Sequence, residues 1–211
     1  MVEVDHVFIC TARGAPAASR LRDFGLTEGP PNRHPGQGTA CRRFFFQNAM
    51  LELVWVEDPA EAQSEQTRRT QLWERWSNAG QDACPFGIIL RPAPADSRAC
   101  PFACWEYRPA SVPNLSLQIA NGTDLNEPMW CFMDVIRPRL KIEHPAGLRT
   151  LTRVSLNCHA LPESWVTRRM AKEGAIELHE GPAHLLDLEF DCGGQRKTFD
   201  FRPDLPLRFR Y

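Results

Sequence analysis

At 211 residues the chain can bury a proper core without disulfide staples, as one large domain or two small ones. Its 25 basic residues balance 26 acidic ones, a net charge of -1, which excludes the strong field that draws in nucleic acid or an anionic membrane. No apolar run approaches the roughly 20 residues that span a bilayer, and no basic and apolar leader precedes the first strand. The expected address is therefore cytoplasmic, and the expected partners are a small-molecule substrate or ligand and a second copy of the chain in a homodimer.

Eight cysteines occur without a CxxC pair in a chain of this length, so they read as reduced thiols. Cys10, Cys41, Cys131, Cys158 and Cys192 fall in or beside predicted strands, where free Cys behaves as a small buried hydrophobe. Cys100 and Cys104 lack two further ligands at metal-binding spacing.

In chain order, Val4 to Thr11 is the first strand. Strict alternation puts His6 on one face with Val4, Phe8 and Cys10. Ala17, Ala18, Leu21 and Phe24 recur at helical spacing, with Pro16 near the start and Gly25 after the last turn. A Pro, Asn, Gly and His loop leads to a strand from Thr39 to Phe46. Gln47 and Asn48 turn the chain into Ala49 to Val56, whose alternation sets Leu51, Leu53 and Trp55 on one face and Met50, Glu52, Val54 and Val56 on the other. Glu52 is a lone acid among apolar neighbours. Burying it unpaired would cost several kcal/mol or more, so it must be protonated, paired or metal-bound.

Asp58-Pro59-Ala60-Glu61 carries an N-cap, a Pro at the first helical position and an acid in capping-box register, which predicts a helix. Leu72, Trp73, Trp76 and Ala79 give that helix an apolar stripe in its second half only. From Cys84 to Pro145 nine of the eighteen prolines fall within 62 positions, too dense for a long helix. The strand candidates there are Pro85 to Arg91, Ala103 to Tyr107, Leu115 to Ala120 and Pro128 to Val135.

The final third echoes the first. Leu151 to Cys158 reads as a strand and Pro162 to Glu173 as a helix with Trp165, Val166 and Met170 inward. Leu178-His179-Glu180-Gly181-Pro182 then repeats the pattern of Leu26-Thr27-Glu28-Gly29-Pro30, and two strands follow, turning at Gly193-Gly194. Aligning the two βαβββ patterns sets Arg153 opposite His6 and Asp200 opposite Glu52, with separations of 46 and 47 residues. The expected segments are 1–58 as the first βαβββ unit, 59–83 as a linking helix, 84–145 as a Pro-rich strand and loop segment, and 146–211 as a second complete βαβββ unit. The two units should superpose, and Arg153 and Asp200 should meet as a buried, self-satisfied pair.

Val4-Asp5-His6-Val7-Phe8-Ile9, Arg33 to Ala40 (Arg-His-Pro-Gly-Gln-Gly-Thr-Ala), Leu51-Glu52-Leu53 and His144-Pro145-Ala146-Gly147 resemble the glyoxalase-like branch of the vicinal oxygen chelate superfamily. The resemblance implies an α+β fold of repeated βαβββ units forming curved mixed sheets, with the Pro-rich middle segment completing or flanking them. In that superfamily a His from the first strand and a Glu from the last strand of a unit hold a divalent metal, twice over. Carried across, this implies His6 and Glu52 as ligands of Zn, Ni, Fe or Mn, a donor set those ions accept. The second half departs from the pattern, because Arg153 cannot ligate a metal.

Without a metal, His6 and Glu52 still make a general base and its orienter, suited to abstracting a carbon-bound proton. His34 sits in a loop that can close over a ligand, although a solvated loop His is the plainer reading. Arg42 and Arg43 either bind an anionic group or decorate an outer strand face. Trp55, Trp105 and Trp130 either wall an apolar pocket or fill the core, and His144 before Pro145 shapes a turn. Two functions stay open: an enzyme of the lyase, isomerase or dioxygenase type, and a non-catalytic small-molecule binding or sequestering protein on the same scaffold.

Overall fold

The computed structural model describes residues 1–81, 83–93, 99–112, 114–135, 140–158 and 160–211. The first unit runs β1 (Val2–Cys10), α1 (Ala18–Asp23), β2 (Asn32–His34), β3 (Thr39–Phe45) and β4 (Met50–Val56). Two short helices follow, α2 (Pro59–Ala62) and α3 (Leu72–Ser77), and then four strands: β5 (Phe86–Pro92), β6 (Cys104–Tyr107), β7 (Leu117–Ala120) and β8 (Met129–Phe132). All eight strands join one mixed sheet in the order β2-β3-β4-β1-β5-β8-β7-β6.

That order is palindromic. β1 pairs in parallel with β4, β5 pairs in parallel with β8, and the two halves meet through the antiparallel β1–β5 pair. The Pro-rich middle therefore completes the sheet as the partner of the first unit. Among the described residues no helix lies between β5 and β6, a connection flanked by Pro92 and Pro101.

The last third forms a separate five-stranded sheet from β9 (Leu151–Cys158), α4 (Trp165–Lys172), β10 (Glu177–Glu180), β11 (Leu185–Phe190), β12 (Thr198–Asp200) and β13 (Leu207–Arg210). Its order, β10-β9-β11-β13-β12, differs from that of the first unit. The expectation that residues 4–56 and 150–203 superpose is corrected here. β9 sits between β10 and β11, whereas β1 pairs directly with the last strand of its own unit.

The Arg153–Asp200 pairing fails for the same reason, since β11 and β13 separate their strands. Arg153 instead lies 3.5 Å from Glu177 and 3.8 Å from Glu189. Asp200 pairs with Arg202 at 2.5 Å on the surface, and this guanidinium holds its carboxyl below the usual range.

The single helix expected over 59–83 is also corrected. The Asp58 carboxylate caps as predicted, accepting from Ala60 N at 2.9 Å and Glu61 N at 3.1 Å. Glu61 does not close the capping box; its Oε2 accepts from Gly36 N (2.7 Å) and Gly38 N (3.0 Å) in the β2–β3 turn. With that acid drawn away and a polar stretch behind it, α2 stops after one turn, and α3 resumes only where Leu72 is buried.

Between the two sheets lies the main core. Val7, Ile9, Leu51, Leu53, Phe86 and Ile88 face it from the large sheet, and Leu156, Leu186, Leu188 and Phe209 from the small one. Val166 and Met170 anchor α4 there. Trp165, expected inward, is instead 59% exposed, with the Arg169 guanidinium over its ring. The cysteines are free thiols, and Cys192, expected to be buried, is exposed.

His144 ties the segment ahead of β9 to the first unit. Its Nδ1 accepts from Thr27 N at 3.0 Å and its Nε2 donates to Phe45 O at 3.0 Å, so the ring is neutral. Burial pushes its pKa below the ordinary histidine value, against a smaller opposing effect of the Phe45 carbonyl; burial does the same to His34. A depressed histidine binds fewer protons folded than unfolded, so its contribution to stability is present above about pH 6.5 and is lost as the pH falls from there. The urea midpoint should therefore drop between pH 7 and pH 5, and His144→Gln should flatten that drop. An unchanged slope in the variant would rule His144 out as its source.

Candidate functional site

The site begins with an irregularity in β1. Val4 pairs with Leu90 and His6 with Ile89, which leaves Asp5 as an extra, bulged residue. The bulge breaks the strict alternation assumed from sequence. Val4 turns to the main core, while His6, Phe8 and Cys10 face the other side of the sheet. Asp5 is brought round beside its neighbour, and its Oδ1 lies 2.8 Å from His6 Nδ1. Arg91 on β5 stands 3.4 Å from the second Asp5 oxygen, stabilising the carboxylate.

His6 and Glu52 lie on adjacent parallel strands and on one sheet face. Their closest approach is 3.9 Å, from His6 Nε2 to Glu52 Oε2. Glu52 is only 9% exposed, and its other oxygen accepts a weak bond from Cys41 Sγ at 3.6 Å. Burial, with the Glu52 charge beside it, pushes the Cys41 thiol far up, so it stays a protonated donor.

These groups border a cavity of about 310 Å³ on the inner face of the curled sheet. The first half of the sheet supplies a polar wall that includes Asp5, His6, His34, Thr39, Arg43 and Glu52. The second supplies an apolar wall of Ile89, Leu115, Ile119, Met129, Cys131 and Met133.

Across the mouth, Tyr107 OH on β6 donates to Gln37 Oε1 at 3.2 Å, joining the strand at one edge of the sheet to the turn at the other. The network continues from Gln37 Nε2 to Thr39 Oγ1 (2.8 Å), to His34 Nδ1 (2.9 Å), and from His34 Nε2 to Asn32 (2.9 Å). Gly38 must be glycine in this turn: its φ is +74°, and a Cβ would stand 2.3 Å from Asp58 O. Gly38→Ala should unlatch the turn, read as faster amide exchange at residues 34–38; unchanged exchange would show that the turn absorbs the clash.

Of the residues singled out from sequence, His6, Glu52, His34 and Arg43 border the cavity, and Trp55 and Trp130 do not. Both tryptophans are assigned away from the cavity by strand parity. Trp55 shares the Leu51 and Leu53 face, and Trp130 lies opposite Cys131, fully buried in the main core. Arg42 pairs with Glu28 outside the cavity. Asp5, Gln37, Thr39 and Tyr107 were missed. The Asp-His dipeptide was the signal for Asp5, but a bulge has no clear sequence mark.

The metal implied by the resemblance does not fit these donors. Opposite His6 and Glu52 the second half presents Gly87 and Ile89 on β5 and Met129 and Cys131 on β8. Both His34 nitrogens are engaged, and the Cys41 thiol is held protonated. Among the described residues no group of three or more His, Cys, Asp or Glu is arranged to hold an ion. Two protein ligands seldom hold a metal tightly.

Residues 4–93 match the model of a glyoxalase-like domain family. Comparison with curated proteins gives no match. Among solved structures, a hypothetical protein from Staphylococcus aureus is 10% identical with a TM-score of 0.53, over 99% of this chain and 98% of that one. This likeness concerns the fold alone. A hypothetical protein from Bacillus halodurans C-125 is 11% identical, with a TM-score of 0.41 over 66% of this chain and 99% of that one. Methylmalonyl-CoA epimerase from Mycobacterium tuberculosis is 14% identical, with a TM-score of 0.40 over 64% of this chain and 89% of that one. Among the described residues no helix is long and apolar enough to cross a membrane.

Proposed function

We propose that the chain, whose residues 4–93 match a glyoxalase-like domain family, is a glyoxalase-like small-molecule enzyme of the isomerase or lyase type, moving a carbon-bound proton between His6 and Glu52. The observation that carries this is the row Asp5–His6–Glu52 at the edge of an apolar cavity. With Nδ1–H donated to Asp5, His6 keeps its Nε2 lone pair for the cavity, and the carboxylate stabilises the imidazolium that forms when that lone pair takes a proton. Glu52 stands 3.9 Å away across the site. That gap is too long for a strong bond, and it lets both groups reach one substrate carbon lying beside the pair.

The chemistry needs an acidified C–H, which a neighbouring carbonyl provides. The test is solvent exchange: enolisable 2-oxo acids, methyl ketones and aldehydes incubated with the protein in D2O and followed by proton NMR. Loss of the signal α to the carbonyl, abolished in His6→Ala, is the expected result. Absence of exchange across all three classes would overturn the reading. The second reading, a binding protein without turnover, is favoured by the Tyr107–Gln37 latch, which encloses the cavity. Binding with no exchange would establish it.

A further inference from the structure

We infer that the ligand is a medium-chain carboxylate with a carbonyl next to its head, a 2-oxo fatty acid in form; this rests on the proton-transfer reading above. Three observations point there. The first is the division of the cavity, with its Asp, Glu, His and Arg side chains all on β1–β4 and only apolar or thiol side chains from β5 and β8. A wholly polar metabolite would leave the second wall unsatisfied, and a hydrocarbon would desolvate Glu52 without a partner.

The second is Arg43. It borders the cavity, its Nε donates to Pro30 O at 2.9 Å, and its guanidinium lies over the Phe45 ring at 5.2 Å. Among the described residues no carboxylate lies within ion-pair distance of it, although Arg20, Arg33, Arg42, Arg91 and Arg208 each have one. Its remaining fork suits an incoming carboxylate.

The third is register. Arg43 is the direct cross-strand partner of Glu52, so their Cβ atoms are about 5 Å apart. A head held by Arg43 thus presents to Glu52 and His6 a carbon about two or three bonds from the carboxylate. In a 2-oxo acid that carbon is C3, whose protons the C2 carbonyl acidifies. Base removes one C3 proton, the C2–C3 double bond forms as the carbonyl electrons move to oxygen, and reprotonation reverses the shift. No oxidant or second substrate is consumed.

The tail then runs toward Ile119, Leu115, Met129 and Met133, and flexible thioethers adapt to an unbranched chain. A cavity of about 310 Å³ has the room of roughly ten waters, enough for a chain of medium length.

Calorimetric titration with the straight-chain 2-oxo acids from 2-oxobutanoate to 2-oxododecanoate tests this. Affinity should rise about fourfold per methylene until the cavity is filled and then level off. Arg43→Gln should weaken 2-oxooctanoate at least tenfold and leave 2-octanone unchanged, and Met133→Trp should shorten the preferred chain. Affinity independent of length, or an Arg43→Gln variant that binds 2-oxooctanoate as well as the parent, would overturn the inference. Exchange of short carbonyl compounds alone would leave proton transfer standing and remove the fatty tail. Length-dependent binding without exchange would do the opposite.

Discussion

Glu52→Gln should retain the fold and bind 2-oxooctanoate within a few-fold of the parent, yet exchange its C3 protons about 100 to 10,000 times more slowly, the usual span for loss of a positioned acid–base group. The substitution is nearly isosteric and removes only the charge and basicity of a side chain that is 9% exposed. Among the described residues its one hydrogen bond comes from the Cys41 thiol at 3.6 Å, a weak donor that an amide oxygen also accepts. Stability should therefore change little, or rise, because a buried carboxylate with so little support is costly.

Asp5→Asn probes the same row from the other end. It keeps the shape of the bulge but replaces the charged acceptor at His6 Nδ1, 2.8 Å away, with a neutral amide. The imidazolium then loses its counter-charge, so exchange should slow while probe affinity holds. Glu52→Gln exchanging at the parental rate would remove Glu52 from the chemistry and leave His6 to act alone.

Much of the fold was legible because side-chain period and turn chemistry are local. All four strands of the Pro-rich middle were placed within a few residues, as were β1, α1, β3 and β4, while the loop expected to end near Gly38 holds the short strand β2. Their partnership was not legible. Nothing in residues 84–135 repeats the motif residues of 4–56, so the pseudo-symmetric half was sought in the last third, where Leu178 to Pro182 copies a local turn. That turn became strand β10 beside β9, whereas Leu26 to Pro30 reaches β3, among the described residues, through one backbone bond, Gly29 N to Arg43 O, and side-chain bonds from Arg42 to Glu28 and from Arg43 to Pro30 O. A short pattern specifies local conformation, and sheet order depends on which faces bury together.

The site shows the same division. Alternation along β4 put Glu52 on one face and Trp55 on the other, so Trp55 could have been dismissed from sequence alone. Asp5 could not, because only the bulge between Val4 and His6 brings it onto the cavity side. Gln37 and Tyr107 are 70 residues apart and meet only because the sheet curls until its edges touch.

Trp130→Ala should be the most destabilising single change proposed here, while leaving the cavity's ligand affinity intact in the folded fraction. Trp130 was read from sequence as a candidate pocket wall. In the structure it is fully buried on the core face of β8, back to back with Cys131, which faces the cavity. Its Nε1 donates to Thr167 Oγ1 at 2.8 Å, and Thr167 in turn donates to Glu127 Oε2 at 2.6 Å. Glu127 also accepts from Ser164 N at 2.9 Å, the residue that caps α4, so the indole is packed against the start of that helix.

Removing the ring leaves a large void between sheet and helix, and truncations of this kind cost ~3 to 5 kcal/mol. The urea midpoint should fall by about 1 to 2 M with little change in slope. Trp130→Phe, which fills most of the void and loses only the N–H donor, should cost ~1 to 2 kcal/mol. Titration of 2-oxooctanoate into Trp130→Phe should match the parent. A tenfold loss of affinity at near-parental stability would return Trp130 to the ligand and show that the cavity reaches through the sheet.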